Sequence, residues 1–252
     1  MWRHIARSVR GASHERGNEP CQDSHVARVV DVDNGGGLIA CISDGAGSAD
    51  HSQHGSRIAC DAIADKAAQH LAREGGFHTA SRDDVLVWCD HARSQIGERA
   101  EADGQKPRDY ACTLSGALIS EAGSVFFQIG DGAIVARRSG CFGVVFWPQS
   151  GEYANSTNFL TQEGYQDRVE FVALPTAFSE VALFTDGLER LALSFEGQTA
   201  HAPFFDPLFQ AVRQTDDLAS LNEGLQGFLT SEVVQNRSDD DKTLVLAAKN
   251  PG

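Results

Sequence analysis

No stretch of the 252 residues approaches the length of a membrane span, so a helical transmembrane protein is excluded. The first residues, MWRHIARSVRG, carry charge but no apolar core and do not read as a secretory leader. The six cysteines, at 21, 41, 60, 89, 112 and 141, form no CxxC pair, and Cys41, Cys60 and Cys89 fall in apolar or helical surroundings. Free buried thiols in a reducing compartment account for them, which makes a cytoplasmic location the expectation. Positive charge is scarce: 21 Lys and Arg face 35 Asp and Glu, for a formal net charge of −14. Such a surface repels phosphate backbones and anionic lipid, so neither nucleic acid nor a membrane surface is the expected partner. Repeats, low-complexity tracts and Pro/Ser-rich linkers are missing too, and the chain reads as one domain over residues 1–252.

Familiar catalytic signatures are also absent. There is no HExxH, and the close pair His51 and His54 lacks further Cys or His partners, which disfavours zinc. No GxxxxGK[ST] cradles a phosphate, and no GxSxG elbow presents a serine nucleophile. Gly45-Ala46-Gly47 has only the first half of a dinucleotide fingerprint. Asp239-Asp240-Asp241 resembles a calcium loop superficially, without its DxDxDG spacing.

What the chain does have is strand texture punctuated by glycine. Val26–Val32 and the apolar run Leu38–Ser43 read as two strands joined at Asn34-Gly35-Gly36-Gly37. Ser52–Arg73 has apolar residues at helical spacing. A second helix is expected from Ser81, where Asp84 completes a capping-box pattern. Strands follow at Cys112–Ile119, Val125–Ile129, Ala133–Arg137 and Gly143–Trp147, then again at Val169–Leu174 and Val181–Thr185. Pro203–Gln214 and Leu218–Val234 read as helices and Thr243–Ala248 as a last strand. Runs of neighbouring strands imply antiparallel pairing, and helices segregated in pairs imply packing on sheet faces. The class is α+β. Pro148–Asp167 is polar and irregular, a long excursion of the kind that is often functional in a compact domain.

Five aspartates share one context, the meeting point of an expected strand and a turn: Asp23, Asp44, Asp131, Asp186 and Asp240. A single Asp-Gly after a strand is ordinarily just a turn, since both residues tolerate turn geometry. Asp44-Gly45, Asp131-Gly132 and Asp186-Gly187 all follow apolar strands, and strand ends are where carboxylates can be held as a metal site. Oxygen-only ligands favour Mg²⁺, Mn²⁺ or Ca²⁺.

Taken in order, these segments resemble the metal-dependent, type 2C protein phosphatase family over about residues 11–248. Asn18-Glu19-Pro20-Cys21-Gln22-Asp23 is similar to its first acidic motif, and Ile42-Ser43-Asp44-Gly45-Ala46-Gly47 to its Asp-Gly-x-Gly motif. Ala111-Cys112-Thr113-Leu114 and Gly130-Asp131 resemble the central motifs. Leu183–Leu188 and Asp240-Asp241-Lys242-Thr243-Leu244-Val245 resemble the late ones. The Cys-Gln-Asp form of the first motif is closest to a bacterial subgroup.

The resemblance implies a four-layer α-β-β-α sandwich with two central, mainly antiparallel sheets. It also implies two Mg²⁺ or Mn²⁺ ions, with a third, weaker one. Asp44 would bridge two ions, the Gly45 carbonyl and Asp23 would serve one of them, Asp186 and Asp240 the other, and Asp131 the third. Asp23, Asp44 and Asp186 thus stand as catalytic candidates, water between the ions being the attacking group. The implied substrate is a phosphoserine or phosphothreonine protein, with a bacterial Ser/Thr kinase or its targets as counterpart; with no exposed heptad or long apolar face in the sequence, a monomer is the expected form. Two departures stand out: the position of a phosphate-gripping Arg holds Asn18, with Arg16 or His14 nearby as replacements, and Ala46 stands where some members carry a proton-donating His. Residues 148–167 match a variable flap in which Asn155, Thr157 and Asn158 could meet the substrate. A pseudophosphatase that only binds phosphoproteins, and a phosphatase of small molecules, remain open as alternatives.

Overall fold

The apolar segments resolve into two antiparallel sheets in a computed structural model that describes residues 1–32, 35–149, 157–176 and 178–249. The chain opens with strand β1 (Trp2–Val9), a short helix α1 (Ala12–Gly17), and the paired strands β2 (Ser24–Val32) and β3 (Gly35–Ser43). Two long helices follow, α2 (Ser52–Glu74) and α3 (Arg82–Ala102). Strands β4 (Leu114–Ser120), β5 (Gly123–Ile129), β6 (Ala133–Arg138) and β7 (Cys141–Phe146) come next, then β8 (Glu170–Leu174) and β9 (Glu180–Phe184). A short helix α4 (Glu189–Ala192) leads through the small hairpin β10 (Leu193–Ser194) and β11 (Thr199–Ala200). Helices α5 (Ala202–Gln214), α6 (Leu218–Leu229) and α7 (Glu232–Gln235) precede the last strand, β12 (Lys242–Lys249).

One five-stranded sheet runs β1-β12-β9-β6-β7 and the other β2-β3-β4-β5-β8, with every neighbouring pair antiparallel. Period-two alternation explains why both are packed on two faces. In β3, Leu38, Ala40 and Ile42 point between the sheets, where they meet Leu183, Val245 and Ala247. Ile39 and Cys41 point the other way, into a core with Ala59, Ile63 and Trp88 of α2 and α3. In β12, Leu244 and Leu246 pack on Phe205 and Phe209 of α5, while Val245 and Ala247 face the opposite sheet. A strand buried on both faces reads as a continuous apolar run, which is the texture of LIACIS and TLVLAA. The layers are therefore α-β-β-α, as the resemblance implied.

Helix α3 begins at Ser81 with the expected reciprocal cap: the Ser81 hydroxyl accepts from Asp84 N at 3.2 Å, and Asp84 Oδ2 accepts from Ser81 N at 2.9 Å. The expected single helix over 218–234 is instead two, α6 and α7, broken at Thr230-Ser231. There the Thr230 hydroxyl bonds back to the Gln226 carbonyl at 3.0 Å. Strand β1 has no counterpart in the sequence reading. Its Arg and His residues hide an edge strand that α6 covers, with Asn222 Oδ1 accepting from Ala6 N at 2.9 Å.

Candidate active site

Antiparallel pairing brings the five aspartates to one end of the sandwich. Asp23 precedes β2 and Asp44 follows β3, and these neighbours share that end. Asp186 follows β9 and Asp240 precedes β12, again neighbours. Asp131 lies in the link that carries the chain from β5 in one sheet to β6 in the other. Gly130 in that link has φ 108°, and a side chain there would run into Thr113. Asp44, Gly45, Asp131, Asp186 and Asp240 line one cavity of about 410 Å³. A larger hollow, about 500 Å³, lies against α5 and is lined by Phe204, Leu208 and Phe228. None of the five aspartates reaches it, so size does not mark the active site here.

Hydrogen bonds lock the motifs together. Thr113 brackets Asp44, its hydroxyl accepting from Asp44 N at 2.9 Å and its own N–H donating to the Asp44 carbonyl at 2.8 Å. Asp241 pins the first motif from the far end of the chain: Oδ1 accepts from Gly11 N at 2.7 Å and Oδ2 from Gln22 N at 2.6 Å. Gly187 lets the Asp186 turn press against that segment, since a Cβ there would stand 2.1 Å from the Asp241 carbonyl oxygen. Lys242, fully buried, donates from Nζ to the Asp240 carbonyl at 2.6 Å and so braces the last motif.

The electrostatics are those of anions crowded away from water. Burial pushes the Asp44 carboxyl well above its ordinary value, and Asp23, Asp186, Asp131 and Asp240 push it further. Burial and then Asp241 raise Asp23. Asp186 is pushed up to about 7 by burial, Asp131 and Asp240. Asp131 rises through burial, partly held back by a hydrogen bond from Thr157. Two oxygens, Asp23 Oδ1 and Asp186 Oδ1, are buried with no hydrogen-bond partner. Divalent cations would relieve all of this at once. Among the described residues no three His, Cys, Asp or Glu side chains already converge as a preformed cage. Carboxylate oxygens with uncompensated charge are the donors that Mg²⁺-type ions take, alongside several waters. The carboxylate set therefore fits a hard cation.

The sequence-predicted residues separate into groups. Asp44, Gly45, Asp131, Asp186 and Asp240 are brought together around the cavity, and His14 lines it too. Asp23 is buried behind them, 6 % exposed, with Oδ2 accepting from the Thr185 hydroxyl at 2.7 Å. Arg16 is not brought in: it is exposed at the end of α1, paired with Asp239 at 2.7 Å. In the expected flap, Thr157 reaches the cavity, whereas Asn158 bonds Gln149 Oε1 at 3.2 Å and serves the loop itself. Asn155 lies outside the described residues. The sequence reading missed Asp241, Glu19 and Ser13. Asp241 was visible only as the end of an acidic triplet, because its partners sit more than two hundred residues away.

The structure is thus an α-β-β-α sandwich with a carboxylate cleft at one end of its two sheets. A family profile for protein phosphatase 2C matches residues 10–230. The chain is 34 % identical over 250 residues to serine/threonine-protein phosphatase 3 of Escherichia coli strain K12, covering 98 % of each. The chain belongs to the protein phosphatase 2C family and is a protein phosphatase. Solved structures share the fold at low identity. Serine/threonine phosphatase Stp1 from Staphylococcus aureus is 13 % identical with TM-score 0.62, covering 100 % of this chain and 96 % of that one. PppA of Pseudomonas aeruginosa is 15 % identical with TM-score 0.62, covering 98 % and 97 %. The catalytic domain of PstP, in complex with two manganese ions, is 17 % identical with TM-score 0.59, covering 99 % of each. Among the described residues no helix is long and apolar enough to cross a membrane.

Proposed function

We propose that this chain, as one catalytic domain, hydrolyses phosphoserine and phosphothreonine in proteins with two Mg²⁺ or Mn²⁺ ions at the aspartate cleft. The observation that carries this is the set of mutually repelling carboxylates contributed by both sheets, with Asp23 buried and Asp44, Asp131 and Asp186 half-buried. When bound, the ions supply an acidified water between them and neutralise charge on the phosphoryl oxygens. Asp44 would hold both ions and the Gly45 carbonyl one of them, while Asp186 and Asp240 would hold the other. Asp131 suits a third, weaker ion. Asp23 acts from behind, through water and through its charge beside Asp44.

The substrate is a phosphorylated protein, and the counterpart reaction is that of a bacterial Ser/Thr kinase. A cytoplasmic monomer is the form proposed, consistent with six free cysteines. All five carboxylates are in place, which weighs against a module that binds without turnover. The test is release of phosphate from a phosphothreonine peptide with Mn²⁺, with and without chelator. Absence of metal-dependent release would end the proposal. Activity surviving Asp44→Ala or Asp186→Ala would end the site assignment instead.

A further inference from the structure

We propose that His14 is the proton donor to the departing oxygen of the phosphoester, held by Asp241; this rests on the phosphatase reading above. Cleaving a serine or threonine phosphate leaves an alkoxide, a poor leaving group that needs a proton as the bond breaks. The ionisable side chains lining the cavity are Glu19, Asp44, Asp131, Asp186, Asp240 and His14. Of these, His14 alone is cationic when protonated, and histidine is the side chain whose ordinary range spans neutral pH.

Its mounting fits the role. Nδ1 stands 2.8 Å from Asp241 Oδ2, an ion-pair contact bent away from a good hydrogen-bond line. Asp241 is itself fixed, 3 % exposed and held by the Gly11 and Gln22 amides. A carboxylate at Nδ1 orients the ring and leaves Nε2 for the substrate. The His14 side chain keeps 12 % exposure, at the cavity wall. Glu19 Oε2 lies 3.7 Å from Nε2, and Glu15 and Arg16 flank His14 on α1. Ala46, beside Gly45, has no proton to offer.

The step balances as follows. A water oxygen forms a bond to phosphorus and sheds one proton to solvent. The bond from phosphorus to the serine or threonine oxygen breaks, its electron pair going to that oxygen, which takes the proton from His14 Nε2. The products are the free hydroxyl side chain and phosphate, and the neutral imidazole regains its proton from solvent. Turnover of alkyl phosphates then falls as pH rises through the His14 pKa.

The test compares wild type and His14→Gln at saturating Mn²⁺ on a phosphothreonine peptide and on p-nitrophenyl phosphate, whose leaving group needs no acid. We expect His14→Gln to lose ~10²-fold in kcat on the peptide and to stay within ~3-fold on the aryl ester. The variant should also lose the alkaline fall in the peptide pH profile. In wild type, NMR titration of the His14 ring should give the pKa at which that fall occurs. Equal losses on both substrates, or no loss on the peptide, would overturn the proposal, as would an NMR pKa unrelated to the pH profile. No metal-dependent release by wild type would overturn the phosphatase reading and this proposal together.

Discussion

The Thr185 hydroxyl donates to Asp23 Oδ2 at 2.7 Å and accepts from the Thr243 amide at 2.9 Å. One side chain thus joins the segment before β2, the end of β9 and the start of β12. Thr185→Val keeps the shape but strips a buried carboxylate and a buried amide of a partner. It should cost about 1–3 kcal/mol in urea unfolding. The same variant should bind Mn²⁺ more weakly by calorimetry, because Asp23 shares the charge environment of Asp44. An unchanged unfolding midpoint would show that the link is not structural.

Crowded carboxylates should make the metal-free protein sensitive to base. Asp186 rises from 3.8 to about 7 on folding, and Asp44 and Asp23 rise as well. A carboxyl raised in this way binds more protons folded than unfolded, so its contribution to stability is present at low pH and lost as pH rises through that window. In chelator, Asp186→Asn should therefore raise Tm above wild type by roughly a few degrees at pH 8. The gap should close near pH 4, about the unfolded carboxylate value. A gap that is constant with pH would mean that repulsion at this site is not its source.

Asp44 and Asp131 should separate in kinetics. Asp44 is coupled to every other member of the cluster, whereas Asp131 lies in the β5–β6 link with a hydroxyl on Oδ2. Asp44→Asn should lower kcat by ~10³-fold or more, and Asp131→Asn by ~10-fold with weaker dependence on high metal concentration. Equal losses would remove the distinction between the shared and the outer ion position.

One glycine substitution tests the packing of the Asp186 turn, and a second, in α3, is its control. Gly187→Ala would place a Cβ 2.1 Å from the Asp241 carbonyl oxygen, and backbone there cannot swing aside. It should cost about 1–3 kcal/mol or more and reduce activity. Gly97, inside α3, has nothing within 4 Å of the added Cβ. Gly97→Ala should stabilise by about 1 kcal/mol through helix propensity and leave activity alone. Thermal melts and one peptide assay check both.

Strand-end aspartates were legible because each motif carries its own local signal, an apolar run that ends in Asp-Gly. Asp44, Asp131 and Asp186 could be read that way without knowing the fold. Asp241 could not, since a carboxylate that accepts from Gly11 and Gln22 differs in no local respect from a solvated one. The same holds for β1, whose pairing with β12 depends on residues at the other end of the chain. Arg16 shows the opposite error. Closeness in sequence to the first motif suggested a phosphate contact, while the turn of α1 sends the side chain to Asp239. Local pattern gives the strand-end acids, but the residues that orient them are set by tertiary pairing.

The chain crosses from one sheet to the other at Gly130-Asp131-Gly132, and neither sheet alone carries a complete set of acids. β12, which sits between β1 and β9 and brings Asp240 with it, follows the other described strands in chain order. Strands β2 to β5 and the links that flank them bring only Asp23, Asp44 and Asp131. The five acids are therefore complete only once β12 has paired with β1 and β9, so that Asp240 marks whether the two ends of the chain have closed on each other.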